Sequence, residues 1–202
     1  MRRLLFLSIF PCMLLISEAI AEPSSEIGAL LRSARAQVGE TVGYDGSYRT
    51  IAYPGGDVPS ATGVCTDVVI RAYRKLGFDL QRLVHEDLKA HFQEYPSRRI
   101  WGLMKPDRNI DHRRVPNLEA FFRRHGQVLS IDIEAEPALP GDLLVWVVPE
   151  ALPHIGIVSD RKRADGSEYL VIHNIGEGAK EEDVIGRFKL TGHYRYAPWV
   201  ER

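Results

Sequence analysis

One cysteine and two histidines have the types and the placement that nucleophilic catalysis requires. Cys65 lies at the predicted start of a helix, and His154 and His173 lie on two neighbouring predicted strands. A cysteine nucleophile needs a base that takes its proton, and that base needs a third group that holds its ring. The pattern therefore predicts Cys65 as the nucleophile, His154 as the base and His173 as the residue that orients His154.

The predicted helix start favours a reactive thiol at Cys65. Backbone N–H groups and the helix dipole stabilise a thiolate at such a position. The other cysteine, Cys12, lies in the N-terminal leader, so the mature chain has no intramolecular disulfide partner for Cys65. The alternative is a buried structural cysteine, which is a common state of a free thiol.

Residues 1–21 have the pattern of a cleaved signal peptide. Arg2 and Arg3 form a charged start, Leu4 to Ile16 is apolar but too short to span a membrane, and Ala19-Ile20-Ala21 is a small-x-small cleavage site. We therefore expect an exported protein of the periplasm, with no membrane span after cleavage. An uncleaved membrane anchor is the alternative.

The charge and the length of the chain limit the kinds of partner and the number of domains to expect. The chain has 26 basic and 27 acidic residues and a net charge of −1. No overall field therefore favours nucleic acid or an anionic membrane as a partner. Residues 22–202 have the length of one domain, and the 45% hydrophobic content of the chain can form a substantial core. We expect a monomer that uses no metal and no cofactor.

Helical patterns fill the first part of the chain and strand patterns the last third. Helices are predicted from Ser24 or Ser25 to Val38, from Cys65 to Gly77, over 84–95, and from Pro116 to Gly126; residues 40–63 and 101–114 are predicted loops, and 85–126 a helical and loop insertion. Strands are predicted over 142–148, 154–159, 169–174 and 192–196. This order predicts an α+β domain whose nucleophile helix packs on a C-terminal antiparallel sheet.

The predicted strands also suggest how the three residues meet. His154 shares a strand face with Gly156 and Val158, and we expect the Cys65 helix to cover that face. A hairpin turn at Asp165-Gly166 would place His173 opposite Val158, whereas a wider loop from about Arg161 would bring it to His154. Asn174 or a backbone carbonyl is the alternative partner of His154.

Four segments resemble the NlpC-type cell-wall cysteine peptidases of the papain clan. They are Tyr53-Pro54-Gly55-Gly56, Pro140-Gly141-Asp142-Leu143, His154-Ile155-Gly156-Ile157-Val158 and Val171-Ile172-His173. The resemblance implies a papain-like fold and a Cys-His-His site. It also implies that the Tyr53 hydroxyl lies beside the nucleophile and helps to stabilise the oxyanion, with Tyr44 as a second candidate.

Longer phrases are similar to the bacterial family called domain of unknown function 1287. They lie at 53–59, 63–67, 106–114 and 191–196. That label carries no activity, so the chemistry is implied by the wider clan alone. The clan's usual Asp-Cys-Ser-Gly is replaced here by Val64-Cys65-Thr66-Asp67, which changes the walls beside the nucleophile and makes Asp67 a candidate substrate contact.

The insertion contains a charged loop that invites two interpretations. The spacing of Asp107, Asn109 and Asp111 is that of a calcium loop, but the glycine and glutamate that an EF-hand requires are absent, so we reject that site. Arg108, His112 and Arg113 are either a solvated surface or a clamp for the free carboxylates of a wall peptide, because arginine binds carboxylates with two hydrogen bonds.

The sequence thus predicts an exported cysteine amidohydrolase or peptidase that cleaves an amide bond in peptidoglycan stem peptides. Two alternatives remain open. One is an acyltransferase or transpeptidase of the same fold, and the other is a peptidoglycan-binding module that does not cleave its ligand.

Overall fold

The structure is a computed structural model that describes residues 25–200. The predicted signal peptide lies outside these residues and stays a prediction, as does the division into a leader and one domain. In chain order the elements are α1 (Ser25–Arg35), β1 (Gly43–Tyr44), β2 (Thr62–Gly63), α2 (Cys65–Lys75), α3 (Leu80–Ala90), α4 (Ser97–Trp101), α5 (Val115–His125), β3 (Gln127–Val128), β4 (Leu143–Val148), β5 (Leu152–Lys162), β6 (Tyr169–Asn174), β7 (Ala179–Glu182) and β8 (Lys189–Arg195).

Six strands form one antiparallel sheet in the order β3-β8-β4-β5-β6-β7. Helices precede this sheet along the chain, so the predicted α+β class is confirmed. The predicted loop over 40–63 contains two short strands, because β1 and β2 pair in parallel and bring Tyr44 opposite Gly63. That pairing carries Tyr44 to the segment just before Cys65.

The two faces of the sheet pack into two separate hydrophobic clusters. Cys65 and the apolar residues of α2 pack with Ile155, Ile157 and Ile172 in the larger cluster. Trp146, which pairs with His154 across β4 and β5, belongs to the smaller cluster on the opposite face. The expectation that α2 covers the face of His154 is therefore wrong, because Ile155 and Ile157, which follow the histidine and lie on the other face of β5, supply the apolar surface that the helix buries.

A β-bulge sets the register between the two histidine-bearing strands. Near the turn, Lys162 pairs with Tyr169, as a hairpin centred on Asp165-Gly166 requires. Further along, Ile157 pairs with Ile172, so the register has shifted between Val158 and Lys162. A bulge places extra residues on one strand and re-aims the side chains that follow. This shift in register brings His173 towards His154. A wider loop from about Arg161 is therefore not needed for the two histidines to meet.

Helix α2 begins at Cys65 because its first turn is capped from within. The carboxylate of Asp67 accepts a hydrogen bond of 2.7 Å from the backbone N–H of Val64, which satisfies a donor that a helix start leaves free. At the other end of the helix, Tyr73 donates from its hydroxyl to the backbone oxygen of Tyr196. These contacts fix the orientation of the helix that presents Cys65.

The insertion folds differently from its prediction in two places. The predicted helix over 84–95 is instead α3 from Leu80 to Ala90, followed by a 3₁₀ turn, and the predicted loop after Trp101 is preceded by the short helix α4. The helix predicted from Pro116 to Gly126 is confirmed as α5. Among residues 25–200, no helix is long and apolar enough to cross a membrane.

Candidate functional site

Cys65 is the first residue of α2 and lies against strand β5. Its side chain is buried, with 4% of its surface exposed. The thiol sulfur accepts a hydrogen bond from the backbone N–H of Ile155, the residue that follows His154. Backbone N–H groups lie in the plane of a sheet, so the thiol reaches the sheet between its two faces. The nucleophile candidate therefore meets β5 one residue from the base candidate.

Burial outweighs the helix start in setting the pKa of Cys65. Loss of hydration is the largest influence and raises the pKa from 9.0 to about 11, and the charge of Asp67 acts in the same direction. Hydrogen bonds from the backbone N–H groups of Ile155, Thr66 and Cys65 lower the pKa by less. The thiol is therefore neutral near pH 7, although the helix start led us to expect a thiolate.

His154 and His173 form a hydrogen-bonded pair. Nε2 of His154 lies 2.9 Å from Nδ1 of His173, and both rings are buried. Burial, with a smaller contribution from His173, lowers the pKa of His154 from 6.5 to about 3. Burial also lowers the pKa of His173, so His154 is a neutral base near pH 7 and its partner favours no charge on it.

Glu182 completes the row of polar groups. Its Oε1 lies 3.2 Å from Nε2 of His173. A carboxylate in this place favours a proton on that nitrogen, which leaves Nδ1 of His173 as an acceptor for the proton on Nε2 of His154. His154 then keeps its own Nδ1 unprotonated. This tautomer is the one in which His154 can accept the proton of a thiol.

Gly156 makes the approach of the two histidines possible. A Cβ atom at this position would lie 2.5 Å from Cγ1 of Val171 and 3.1 Å from Cβ of His173. The first separation is shorter than any ordinary contact, so a side chain here would push β6 away. The space that the sequence assigned to an approaching group is filled by β6 itself.

Tyr44 is the tyrosine that the structure brings to Cys65. Burial raises the pKa of Tyr44 to about 12, and a charge on Cys65 contributes in the same direction. Asn174 holds this region in place, since its amide donates to the carbonyl of Gly43 over 3.2 Å and to that of Gly63 over 3.0 Å. Asn174 therefore positions β1 and β2, while His173 is the partner of His154.

Tyr53 lies elsewhere. Its ring packs edge-on against His85 of α3, with ring centroids 5.2 Å apart, and beneath the guanidinium of Arg108. The charges that act on its hydroxyl belong to residues such as Glu86 and Asp79, and not to Cys65. The structure thus separates Tyr53 from the nucleophile that the resemblance placed beside it.

The side chains of Arg113 and Asp67 are hydrogen-bonded to each other and to other groups of the protein. Arg113 donates from two nitrogens to the two carboxylate oxygens of Asp67, each over 2.9 Å. The same guanidinium also donates to the backbone oxygens of Asp45 and Ser47. Both side chains are buried. This pair joins the loop after Tyr44 to the start of α2, so it supports the site from behind and leaves no free fork for a substrate carboxylate.

The other members of the expected clamp do not converge with Arg113. Arg108 stacks over Tyr53, and His112 is buried, which lowers its pKa to about 3. Asp107 and Asn109 bond to Tyr48 and to one another, which ties this loop to residues 48–51. Its side chains hold the loop against the rest of the protein, so the loop matches neither the solvated surface nor the carboxylate clamp that the sequence suggested.

Comparison with known proteins decides the family. The family model described as "Domain of unknown function (DUF1287)" matches residues 31–196. The chain belongs to this family. A curated relative, "Uncharacterized protein YijF" of Escherichia coli (strain K12), is 51% identical over 168 residues, which cover 83% of this chain and 80% of that protein.

Among solved structures, the chain is similar to a protein of Staphylococcus aureus subsp. aureus Mu50 described as "similar to lipoprotein, NLP/P60 family". The sequence identity is 15% and the TM-score is 0.45, and the match covers 86% of this chain. The chain spans 42% of the length of that staphylococcal protein.

Glu182 is the site residue that the sequence did not find in this member of the DUF1287 family. It lies on β7, whose residues Ala179–Glu182 show no alternation of apolar and polar types. Strand β7 pairs with β6 at the sheet edge, with His173 opposite Lys180. A sequence signal would have required recognising this polar strand, so only the pairing reveals the carboxylate.

Proposed function

We propose that this protein is a cysteine amidohydrolase or peptidase, exported to the periplasm, that cleaves an amide bond in peptidoglycan stem peptides. The observation that carries the proposal is the contact of the Cys65 thiol with the N–H of Ile155, directly after a histidine that is itself hydrogen-bonded to a second histidine. Base-assisted thiol attack requires a thiol within reach of an oriented imidazole, and the position of Cys65 against β5, one residue from His154, supports this interpretation.

The reaction follows from the protonation states. Nδ1 of His154 takes the thiol proton while the sulfur of Cys65 attacks the amide carbonyl, and the His173–Glu182 row stabilises the imidazolium. The carbonyl oxygen becomes an oxyanion, which the backbone N–H of Cys65 and the hydroxyl of Tyr44 stabilise. His154 then gives its proton to the leaving amine as the C–N bond breaks. Water, deprotonated by His154, attacks the thioester and frees the carboxylic acid and the thiol.

Digestion of purified muropeptides by the mature protein, residues 22–202, tests this proposal. We expect Cys65→Ala to abolish cleavage and His154→Gln to reduce it by about a thousandfold or more, because nucleophile and base act as a unit. His91→Gln is the matched control, since His91 is an exposed histidine at the end of α3. Unchanged cleavage by Cys65→Ala would overturn the proposal. Product masses identify the acceptor: water gives free acids, whereas an amine acceptor gives the exchanged peptide of an acyltransferase.

The burial of Cys65 favours one competing function, a wall-peptide binding module that does not cleave. The pH dependence of Cys65 alkylation by iodoacetamide separates the two. An enzyme that opens to its substrate gives a measurable alkylation rate in the folded state, and that rate falls in His154→Gln. A binding module gives a thiol that reacts only on unfolding, while peptidoglycan binding is kept.

A further inference from the structure

A cleft of about 580 Å³ lies between α4 and α5, apart from the Cys65 site. Three arginine side chains line it: Arg98 and Arg99 from α4, and Arg123 from α5. All three residues are exposed to solvent. A cleft of this size can enclose a small ligand or the charged end of a larger one.

The arginines of this cleft lack the carboxylate partners that most other arginines have. Within residues 25–200, Arg98 and Arg99 form no ion pair, and Arg123 donates to the hydroxyl of Tyr194 over 3.0 Å. Elsewhere in that range most arginines, such as Arg35, are held by a carboxylate. In a chain with a net charge of −1, three unneutralised guanidinium groups around one cleft form a local positive site.

Two glutamates also line the cleft, but neither neutralises it. Glu94 is already paired with Arg124. Burial raises the pKa of Glu119 more than the hydrogen bond from Tyr194 over 3.1 Å and the charge of Arg123 lower it, and even an ionised Glu119 leaves three guanidinium groups facing one carboxylate. The cleft therefore keeps an excess of positive charge at neutral pH.

The two walls of the cleft are joined by a buried hydrogen bond. Ser97 of α4 donates from its hydroxyl to the side-chain oxygen of Asn117 on α5 over 3.1 Å, and Asn117 in turn donates to the backbone oxygen of Asp111. Both side chains are fully buried. This link fixes α4 relative to α5, so the backbone positions that carry the arginines are set before any ligand arrives, which lowers the entropy lost on binding.

We propose that this cleft binds an oligoanion, a ligand that carries two or more phosphate or carboxylate groups. Arginine presents a planar fork that binds either group with two hydrogen bonds. The proposal concerns a site separate from Cys65 and does not depend on the proposed hydrolase activity.

Calorimetric titration of the mature protein with inorganic pyrophosphate and with citrate, at low salt, tests this site. We expect saturable binding of at least one anion, weakened by added salt, and an affinity about tenfold or more lower in the double variant Arg98→Ala/Arg99→Ala. A preference for pyrophosphate indicates a phosphorylated ligand, and a preference for citrate indicates a polycarboxylate.

The control is Arg32→Ala/Lys75→Ala, which removes two exposed cations elsewhere on the protein. Equal affinity in the two double variants would overturn the proposal, and so would the absence of saturable binding for both anions at millimolar concentration. Cys65→Ala should bind as the unchanged protein does. Failure at the cleft is therefore distinguishable from failure of the hydrolase proposal.

Discussion

Two buried histidine clusters lie in the same sheet, and the pKa values of their histidines are shifted in opposite directions. His154 faces another imidazole, and burial lowers its pKa to about 3. His193 on β8 lies 3.0 Å from Oδ2 of Asp142 and 2.8 Å from the carbonyl of Ser130. Burial alone would lower the pKa of His193, but these two acceptors raise it above its ordinary value. One cluster therefore holds a neutral base ready to accept a proton, and the other keeps its imidazole protonated to a higher pH than a free histidine.

The difference comes from the partners, since both histidines are fully enclosed. Asp142 is itself held by Arg195, which donates to its two carboxylate oxygens over 2.7 and 2.8 Å. A buried carboxylate with these donors stays charged, so the His193 cluster acts as an ionic staple between the start of β4 and β8. The carboxylate of the first cluster, Glu182, lies 3.2 Å from Nε2 of His173 and is one-third exposed. Glu182 therefore favours one tautomer of His173 but does not cause His154 to be protonated.

The largest effect on stability is expected from Asp142→Asn. This change leaves the buried His193 and the partly exposed Arg195 without their counter-charge, and breaking a buried pair in this way costs about 3–5 kcal/mol. The free energy of unfolding in urea measures it, and Asp165→Asn, at an exposed turn, is the control. A loss no greater than that of the control would mean that the His193 cluster is not an ionic staple.

A smaller stability loss, with a larger loss of activity, is expected from Gly156→Ala. The added methyl group must push Val171 and His173 aside, and such overpacking costs about 1–3 kcal/mol. Because His173 also moves from His154, muropeptide cleavage should fall further than stability explains. Gly186→Ala is the matched control, since a Cβ there meets nothing within 4 Å. Equal activities in the two variants would show that the close approach of β6 is unimportant.

The pH dependence of stability separates the two clusters. The stability that a neutral His154 contributes is present above its ordinary pKa of 6.5 and is lost as the pH falls towards about 3. The stability that a charged His193 contributes is present below 6.5 and is lost as the pH rises through its raised pKa.

Unfolding titrations of His154→Gln and His193→Gln, each compared with the unchanged protein, measure these two contributions. The free-energy difference should shrink on the acid side for His154→Gln and on the alkaline side for His193→Gln, by up to about 1.4 kcal/mol per pH unit. Differences with the same pH slope would contradict the opposite pKa shifts of the two histidines.

The smallest effect is expected from Glu182→Gln. Glu182 is one-third exposed and its partner His173 has a lowered pKa, so this contact contributes no more than a surface ion pair, about 0–1 kcal/mol, and stability should change by no more than that. Muropeptide cleavage should fall only severalfold, because His173 still holds His154. Glu177→Gln, at an exposed carboxylate on the same edge of the sheet, is the control. A loss as large as that of His154→Gln would mean that the carboxylate itself charges the pair.

The parts of the fold that the sequence predicted correctly are those that local signals specify. The helix that starts at Cys65, the helix between Pro116 and Gly126, and strand β6 over 169–174 follow from periodicity and from Gly and Pro positions. Strand β7 and the paired β1 and β2 were missed, because their stability comes from partners distant in sequence. The placement of Tyr53 and Arg113 depends on the same distant contacts.

The sequence by itself determined which residue types could do chemistry, the α+β class, and the turn at Asp165-Gly166, since each depends on neighbours along the chain. Only the tertiary structure decided that α2 packs on the isoleucine face, that a bulge after Val158 brings His173 to His154, and that Cys65 is buried deeply enough to raise its pKa. The physical reason is that burial and register are properties of packed elements. At Cys65, loss of hydration raises the pKa more than the helix start lowers it. At each buried histidine, the neighbouring group decides the direction of the pKa shift: a carboxylate raises the pKa, and an imidazole does not.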